Sequence, residues 1–344
     1  MSVIIGWDVG GAHLKAARVS GGRVEATAQA ATPLWLGLES LEAAFDVLRA
    51  QLGDADSHAI TMTGELCDAF PSRRDGVAGL AAIAGRHLAG GSSQLYAGRA
   101  GFVRLDEAAA YAADIASANW HASAALVALR LRDALLIDIG STTADLVPVV
   151  AGRVAARGYS DAERLAAGEL VYAGVVRSFV MAMAARAPFR GAWTPLMNEY
   201  FANSADVYRV LGMLPDETDK MPTADGREKT VSASRARLAR MIGREPGEGE
   251  YAQWNALAAW FAEAQVREIT DAAFLRLSIG DLAGDAAVVA AGIGEGVAGE
   301  VARRLRRRCV GFSSLFGAPA EASHCAPAAA VAILAGADFD RRSA

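Results

Sequence analysis

The chain has 344 residues, enough for two domains of ordinary size whose cores need neither disulfides nor structural metals. A formal net charge of −5 and only short basic runs argue against nucleic acid or an anionic membrane surface as a partner. Three cysteines, Cys67, Cys309 and Cys325, occur without CxxC spacing, which disfavours a disulfide framework or zinc cluster and points to a reducing, cytoplasmic setting.

Residues 3–7 form a β-branched apolar run that ends in Asp8 and a glycine pair, without the basic leader of a signal peptide. The segment after it alternates around Gly21 and Gly22, which predicts a strand, a tight turn and a hairpin. A helix is predicted over about 38–51, with Leu38, Leu41, Phe45 and Leu48 on one face. SHAITMTGE then reads as a strand ending in a polar turn. Residues 61–74 gather Glu65, Asp68, Arg73 and Arg74 at that strand end. Carboxylates and arginines together suit an anionic substrate carrying an amine, with a solvated turn as the alternative. The Ala-rich stretch 122–136 is broken by Arg130, Arg132 and Asp133, well short of the roughly 20 apolar residues of a membrane span, so none is expected.

The opening pattern then recurs. Residues 134–139 are an apolar run holding Asp138, and GSTTADLVPVVAGRVAARGYS again supplies a turn, a strand, the turn Ala151 and Gly152, and another strand. Asp138 follows Asp8 by 138 − 8 = 130 residues, so duplication of a β-hairpin-β unit is the simplest explanation. It predicts one domain over 1–130 and a second over 131–344. Between 188 and 249 the composition turns polar, as in a flexible insertion or a substrate-shaping lid. Tyr200, Phe201, Val207, Tyr208, Val210 and Leu211 at helical spacing favour an ordered, partly helical insertion near the cleft. The remainder reads as Ala-rich helices, then VVAAGIGEGV over 288–297, a helix over 297–305 and a closing helix around 326–335. The basic run 303–308 sits at helical spacing and reads as a solvated face.

Three loops carry the chemistry. Asp8 at a strand end can hold a magnesium ion or its waters, Gly10 and Gly11 let backbone amides approach phosphate oxygens, and Lys15 adds a cation. The second copy has Asp138, Gly140, Ser141, Thr142, Thr143 and Asp145, with hydroxyls and amides able to surround a phosphate. Gly292, Gly294 and Gly296 precede a helix, as in loops that approach a phosphate or nucleoside. Each alone could be an ordinary turn or helix cap, but two copies at domain-scale spacing disfavour that. The five histidines are scattered, and His324 beside Cys325 reads as structural.

In this order the loops resemble those of the acetate and sugar kinase, heat-shock chaperone and actin superfamily. That resemblance implies a two-domain, ribonuclease H-like α/β fold with duplicated phosphate loops and a cleft between its halves. Ala12 and His13 stand where many such kinases carry a Thr and a further polar residue, so the first loop lacks its usual hydroxyl. ATP is thereby disfavoured, with nucleotide binding kept as an alternative.

A narrower resemblance covers nearly the whole chain. The Asp8 loop, TMTGELCDAF, DIASANWHA, IDIGSTTADL and NEYFANSADVYRVLGMLPDETD are similar to hydantoinase- and oxoprolinase-related proteins that accompany tetrahydromethanopterin-linked one-carbon metabolism. Archaeal members of that family act in methanofuran biosynthesis. They join an aminomethylfuran diphosphate to the phenol of γ-glutamyltyramine, forming an aryl ether and releasing diphosphate. The resemblance implies the equivalent transfer here, with a small-molecule diphosphate and a phenolic tyramine or tyrosine derivative as partners. Asp8 and Asp138 would hold Mg2+ and act on the diphosphate. Glu65, Asp68 or Asp145 would accept the phenol proton or hold a substrate ammonium, and Arg73 would bind substrate. The alternatives are an ATP-dependent small-molecule kinase, a hydantoinase-like enzyme, and an ATP-gated binding protein, the last disfavoured for want of a peptide-binding region. Closely packing Ala/Gly-rich helices point to a homodimer.

Overall fold

The computed structural model describes residues 2–88, 90–215 and 218–343. Val, Ile and Trp side chains form β1 (Val3–Val9), which is buried almost throughout and pairs antiparallel with β2 (His13–Ser20). The turn at Gly21 and Gly22 has φ of 54° and 74°, left-handed values that glycine adopts without a Cβ penalty, and leads into β3 (Arg23–Ala31). The predicted helix is α1 (Glu39–Leu52), which buries Leu41, Phe45 and Leu48 on one side. β4 (Ser57–Met62) then runs parallel to β1. Ser72 caps α2 (Arg73–His87) by accepting from the Asp75 amide at 3.2 Å, so Arg73 and Arg74 open a helix rather than flank a strand end. β5 (Ser92–Tyr96) and β6 (Phe102–Arg104) complete a sheet of order β3-β2-β1-β4-β5-β6, followed by α3 (Ala112–Ile115) and α4 (Asn119–Ala128).

The second unit starts with β7 (Ala134–Ile139), all six residues buried, as expected of a central strand covered on both faces. It pairs antiparallel with β8 (Ala144–Val150), which turns through Ala151 and Gly152 into β9 (Arg153–Val154). Next come α5 (Asp161–Ala167), β10 (Leu170–Val171) and α6 (Val180–Met183). The hairpin of β11 (Arg186–Phe189) and β12 (Ala192–Pro195) precedes α7 (Ser204–Val210) and α8 (Val231–Met241). The long α9 (Tyr251–Leu277), β13 (Ala287–Ala291), α10 (Glu295–Arg304), β14 (Cys309–Gly311), α11 (Phe312–Leu315) and α12 (Ala326–Ser343) complete the fold. The sheet order is β10-β8-β7-β13-β14, with β9 paired to β8.

In both sheets the central strand has an antiparallel hairpin partner on one side and a parallel strand on the other, so β7, β8 and β13 repeat β1, β2 and β4. This is the duplicated α/β fold of the kinase, chaperone and actin superfamily. Register makes the repeat atomic in detail. Asp8 lies opposite Lys15 on β2, and Asp138 lies opposite Asp145 on β8. The same position therefore faces a cation in one copy and a second carboxylate in the other.

The two sheets share one central core, in which α12 packs across β1, β2 and β4 while α4 packs on β8 and β9. At Gly6 a Cβ would lie 1.9 Å from the Ala328 carbonyl oxygen, so only glycine admits this approach. We propose a division into 1–130 and 131–344, with α4 and α12 each reaching over the other unit's sheet. No spanning segment is expected from composition, yet Ala320–Asp338 has the length and apolarity of one; 61% of its apolar window is buried, as in a core helix.

The polar stretch 188–249 is ordered and partly helical. Val207, Val210, Leu238 and Met241 from α7 and α8 join Trp254, Leu257 and Phe261 of α9 in one core cluster. Among the described residues, none of this stretch lines the cleft, and it packs mainly as body, although Lys220 and Tyr200 lie close enough to act electrostatically on the cleft residues His13 and Arg177. Tyr200 packs on Phe179 in a tilted pair with ring centroids 4.5 Å apart.

Candidate active site

The ends of β1 and β7, the hairpin loops after them, and α4 and α5 enclose a cleft of about 280 Å³ between the two units. Asp8 and Asp138 lie in its floor, 5% and 9% exposed. Burial pushes Asp8 up to about 6, against the pull of Lys15. Asp138 is pushed up to about 7, first by burial and then by the facing Asp145 carboxylate. Lys15 donates from Nζ to the His324 carbonyl at 2.8 Å, which fixes the ammonium beside Asp8.

The second loop is shaped from behind. Amides of residues 174–177 donate to the carbonyls of Gly140, Ser141 and Thr142 at 2.8–3.1 Å, and a Cβ at Gly174 would sit 2.4 Å from the loop backbone. With its carbonyls taken, the hydroxyls of Ser141 and Thr142, 3.4 Å apart, face the cleft. Arg177 leaves that same clamp and reaches Thr142 Oγ1 at 3.4 Å, with its guanidinium 4.7 Å from the Trp35 ring of the first unit. His13, on the first loop, is pushed down to about 4 by burial and by Lys15, so it faces the cleft as a neutral ring at pH 7.

The expected residues divide into three groups. Asp8, Gly10, Gly11, Lys15, Asp138, Gly140, Ser141, Thr142, Thr143 and Asp145 all line the cleft. Asp145 is engaged by Arg164, which donates at 2.8 Å and is itself buried and stacked 4.1 Å over Trp120, so it does not stand free as a base. Gly292 and Gly294 lie beneath the cleft. Their amides donate to Ser323 and Ile139 carbonyls at 2.9 Å, and a Cβ on Gly292 would meet Asp138 Oδ1 at 2.5 Å. They make room for Asp138 and carry no amide toward a phosphate. Asp68 is exposed and outside the cleft. Arg73 lines a neighbouring cavity with Arg74 and pairs with Asp161, while Glu65, 1% exposed, sits behind the cleft wall.

Sequence reasoning missed Ser117, Asn119, Trp120, Asp161, Arg164 and Arg177, all of which line the cleft. The one signal for three of them was DIASANWHA, quoted for its resemblance without a role. Of the others, Asp161 and Arg164 come from α5 and Arg177 from the segment after β10, and their place at the cleft depends on the tertiary fold.

A magnesium ion fits what is present. Asp8 Oδ1 is buried without a hydrogen-bond partner, beside a second carboxylate that burial holds toward its neutral form. Among the described residues no cluster of three or more His, Cys, Asp or Glu could hold a metal. An ion on Asp8 and Asp138 would thus take its remaining ligands from water and substrate oxygens, as Mg2+ commonly does.

A family model for hydantoinase/oxoprolinase matches residues 56–337. A protein of Methanocaldococcus jannaschii named (4-{4-[2-(gamma-L-glutamylamino)ethyl]phenoxymethyl}furan-2-yl)methanamine synthase is 31% identical over 70% of this chain and 71% of its own length. A protein of the same name from Methanococcus vannielii is 32% identical over 32% of this chain and 50% of its own length. Among solved structures, a ROK family glucokinase from Streptomyces griseus, in complex with glucose and AMPPNP, superposes with a TM-score of 0.51 at 14% identity. That likeness covers 96% of this chain and 98% of the glucokinase, and it bears on the fold alone. With a family match over most of its length and a relative aligned across more than two thirds of both chains, this protein is an enzyme that belongs to the hydantoinase/oxoprolinase family.

Proposed function

We propose that this protein joins a furan-methyl diphosphate to a phenol, within the biosynthesis of a methanofuran-type cofactor in the cytoplasm. The observation that carries the reading is one cleft that sets Lys15, Arg177 and the hydroxyls of Ser141 and Thr142 around the carboxylates Asp8 and Asp138. The named product of the relatives, a phenoxymethyl furan, supports the choice of substrates.

In this reaction the carbon–oxygen bond to diphosphate breaks, a bond forms between the furan methylene and the phenol oxygen, and the phenol gives up its proton. The furan ring stabilises positive charge on its methylene, so the main demands are stabilising the leaving anion and holding the phenol in line. Lys15, Arg177 and the hydroxyls at 141–143 serve the first demand. Trp120, Leu66 and Tyr172, which also line the cleft, offer apolar and aromatic surface for the two rings. When bound, Mg2+ on Asp8 and Asp138 would neutralise charge on the diphosphate.

The direct test combines purified protein, Mg2+, the furan-methyl diphosphate and a tyramine or tyrosine derivative, followed by mass spectrometry. Ether and diphosphate should appear in equal amounts. Absence of ether together with ATP turnover on a small acceptor would replace this reading with a kinase.

Thermal stability supplies a second check. Asp8 and Asp138 have folded pKa values raised above the ordinary 3.8, so their contribution to stability is full below about pH 4 and is lost as pH rises through about 6 to 7. Mg2+ with inorganic diphosphate should therefore raise Tm clearly at pH 8 and much less at pH 5. Equal shifts at both pH values would place the ligand elsewhere.

A further inference from the structure

Behind the cleft wall lies a polar cluster that the reading above does not use. Ser117 is a non-glycine residue with φ of 53°, a left-handed backbone that side-chain-bearing residues adopt only under constraint. This conformation holds its hydroxyl at the cleft surface, where it donates to Glu65 Oε1 at 2.9 Å, with Asp161 Oδ2 more distant at 3.3 Å. Glu65 is 1% exposed, and its other oxygen, Oε2, has no hydrogen-bond partner. Arg73 Nε stands 3.8 Å from Glu65 while the same guanidinium pairs with Asp161. A buried carboxylate with an unsatisfied oxygen is costly, and a purely structural contact here would more readily be made by an amide.

We infer that Ser117 and Glu65 form the proton relay for the phenol, a proposal that rests on the aryl-ether reading above. As the phenol oxygen bonds to the furan methylene, its proton passes to Ser117 Oγ while the Ser117 hydroxyl proton passes to Glu65 Oε1. The serine is regenerated, the carboxylate ends as the neutral acid, and diphosphate departs with the electron pair of the broken bond. Ser117 touches the substrate, and Glu65 acts through it. Two charged groups face Glu65: Arg73, from α2, favours its anion, and Asp161, from α5, disfavours it. Burial outweighs both and raises the affinity of Glu65 for a proton, which suits it to accept one.

The relay is needed only when the phenol arrives protonated, and that supplies the test. Wild type, Glu65→Gln and Ser117→Gly would be assayed at pH 8 with an ordinary phenolic acceptor and with a ring-fluorinated one acidic enough to be largely phenolate. Glycine accepts the left-handed backbone at 117, and melting curves would establish that both variants are folded. Each variant should lose about a hundredfold in kcat with the ordinary phenol. The loss should shrink to a few-fold with the acidic one, and the wild-type rise of kcat with pH should be flattened in Glu65→Gln. Equal losses on both phenols, or no loss on either, would overturn the relay. Failure of the wild type to form ether from either phenol would instead overturn the aryl-ether reading itself.

Discussion

Asp138→Asn and Asp8→Asn are each expected to lower kcat about a thousandfold while leaving the protein folded. Asparagine keeps the volume and shape of the side chain but removes the charge, so the fold loses nothing that packing provides. Indeed, each variant relieves a buried carboxylate that already leans toward its neutral form. What is lost is the site for a cation, and with it stabilisation of the leaving diphosphate, for which single groups commonly contribute a hundredfold to a thousandfold. The two variants should also differ. Asp138 shares its surroundings with Asp145, so its replacement removes a repulsion, whereas replacing Asp8 leaves Lys15 without its facing carboxylate. Asp8→Asn should accordingly bind inorganic diphosphate less dependently on Mg2+ than wild type does. Diphosphate release and calorimetric binding would check both points, and unchanged turnover in either variant would show that the site is misplaced.

The second large effect falls on stability. Arg237→Ala should destabilise the protein by about 3–5 kcal/mol, measured by urea unfolding, because it strands a buried charge. Arg237 is fully buried and donates to Asp206 from Nε at 2.8 Å, and it pairs with Asp225 at 3.1 Å. Asp206 closes the capping box of α7 with Asn203 and also accepts from Ser234 Oγ at 2.8 Å. Arg209 and Asp219 add a second buried pair at 2.6 Å. These contacts join α7 to α8, so the loss should spread to the cluster that both share with α9. A change below about 1 kcal/mol would mean that the network is dispensable.

That network explains why part of the molecule was legible in the sequence and part was not. The paired strands ending in Asp8 and Asp138 were readable because apolar runs, glycine turns and a repeat are local signals. Residues 188–249 read as an insertion or lid near the cleft, partly helical but without a core of its own, because charged composition normally marks solvent exposure. Here Asp206, Arg209, Asp219 and Arg237 neutralise one another inside the protein, a pairing that no local pattern reveals. The same limit hid Arg177 and Asp161, which reach the cleft only after the clamp at 174–177 and the cap of α5 have formed. Gly292 misled for the opposite reason. It is required, but for the space it leaves beside Asp138 and not for its amide.

The passage of α12 across β1, β2 and β4 has a consequence for how the chain is made. Residue 6 meets residue 328 at a distance that admits no side chain, so one face of the first sheet stays open during synthesis until residues 326–343 have left the ribosome. Until then Ile4, Ala17 and Ala59 lack the α12 surface that packs against them. Folding here is consequently not vectorial. Until α12 emerges the nascent first unit exposes an apolar sheet face, the circumstance in which a growing chain depends most on holdase chaperones.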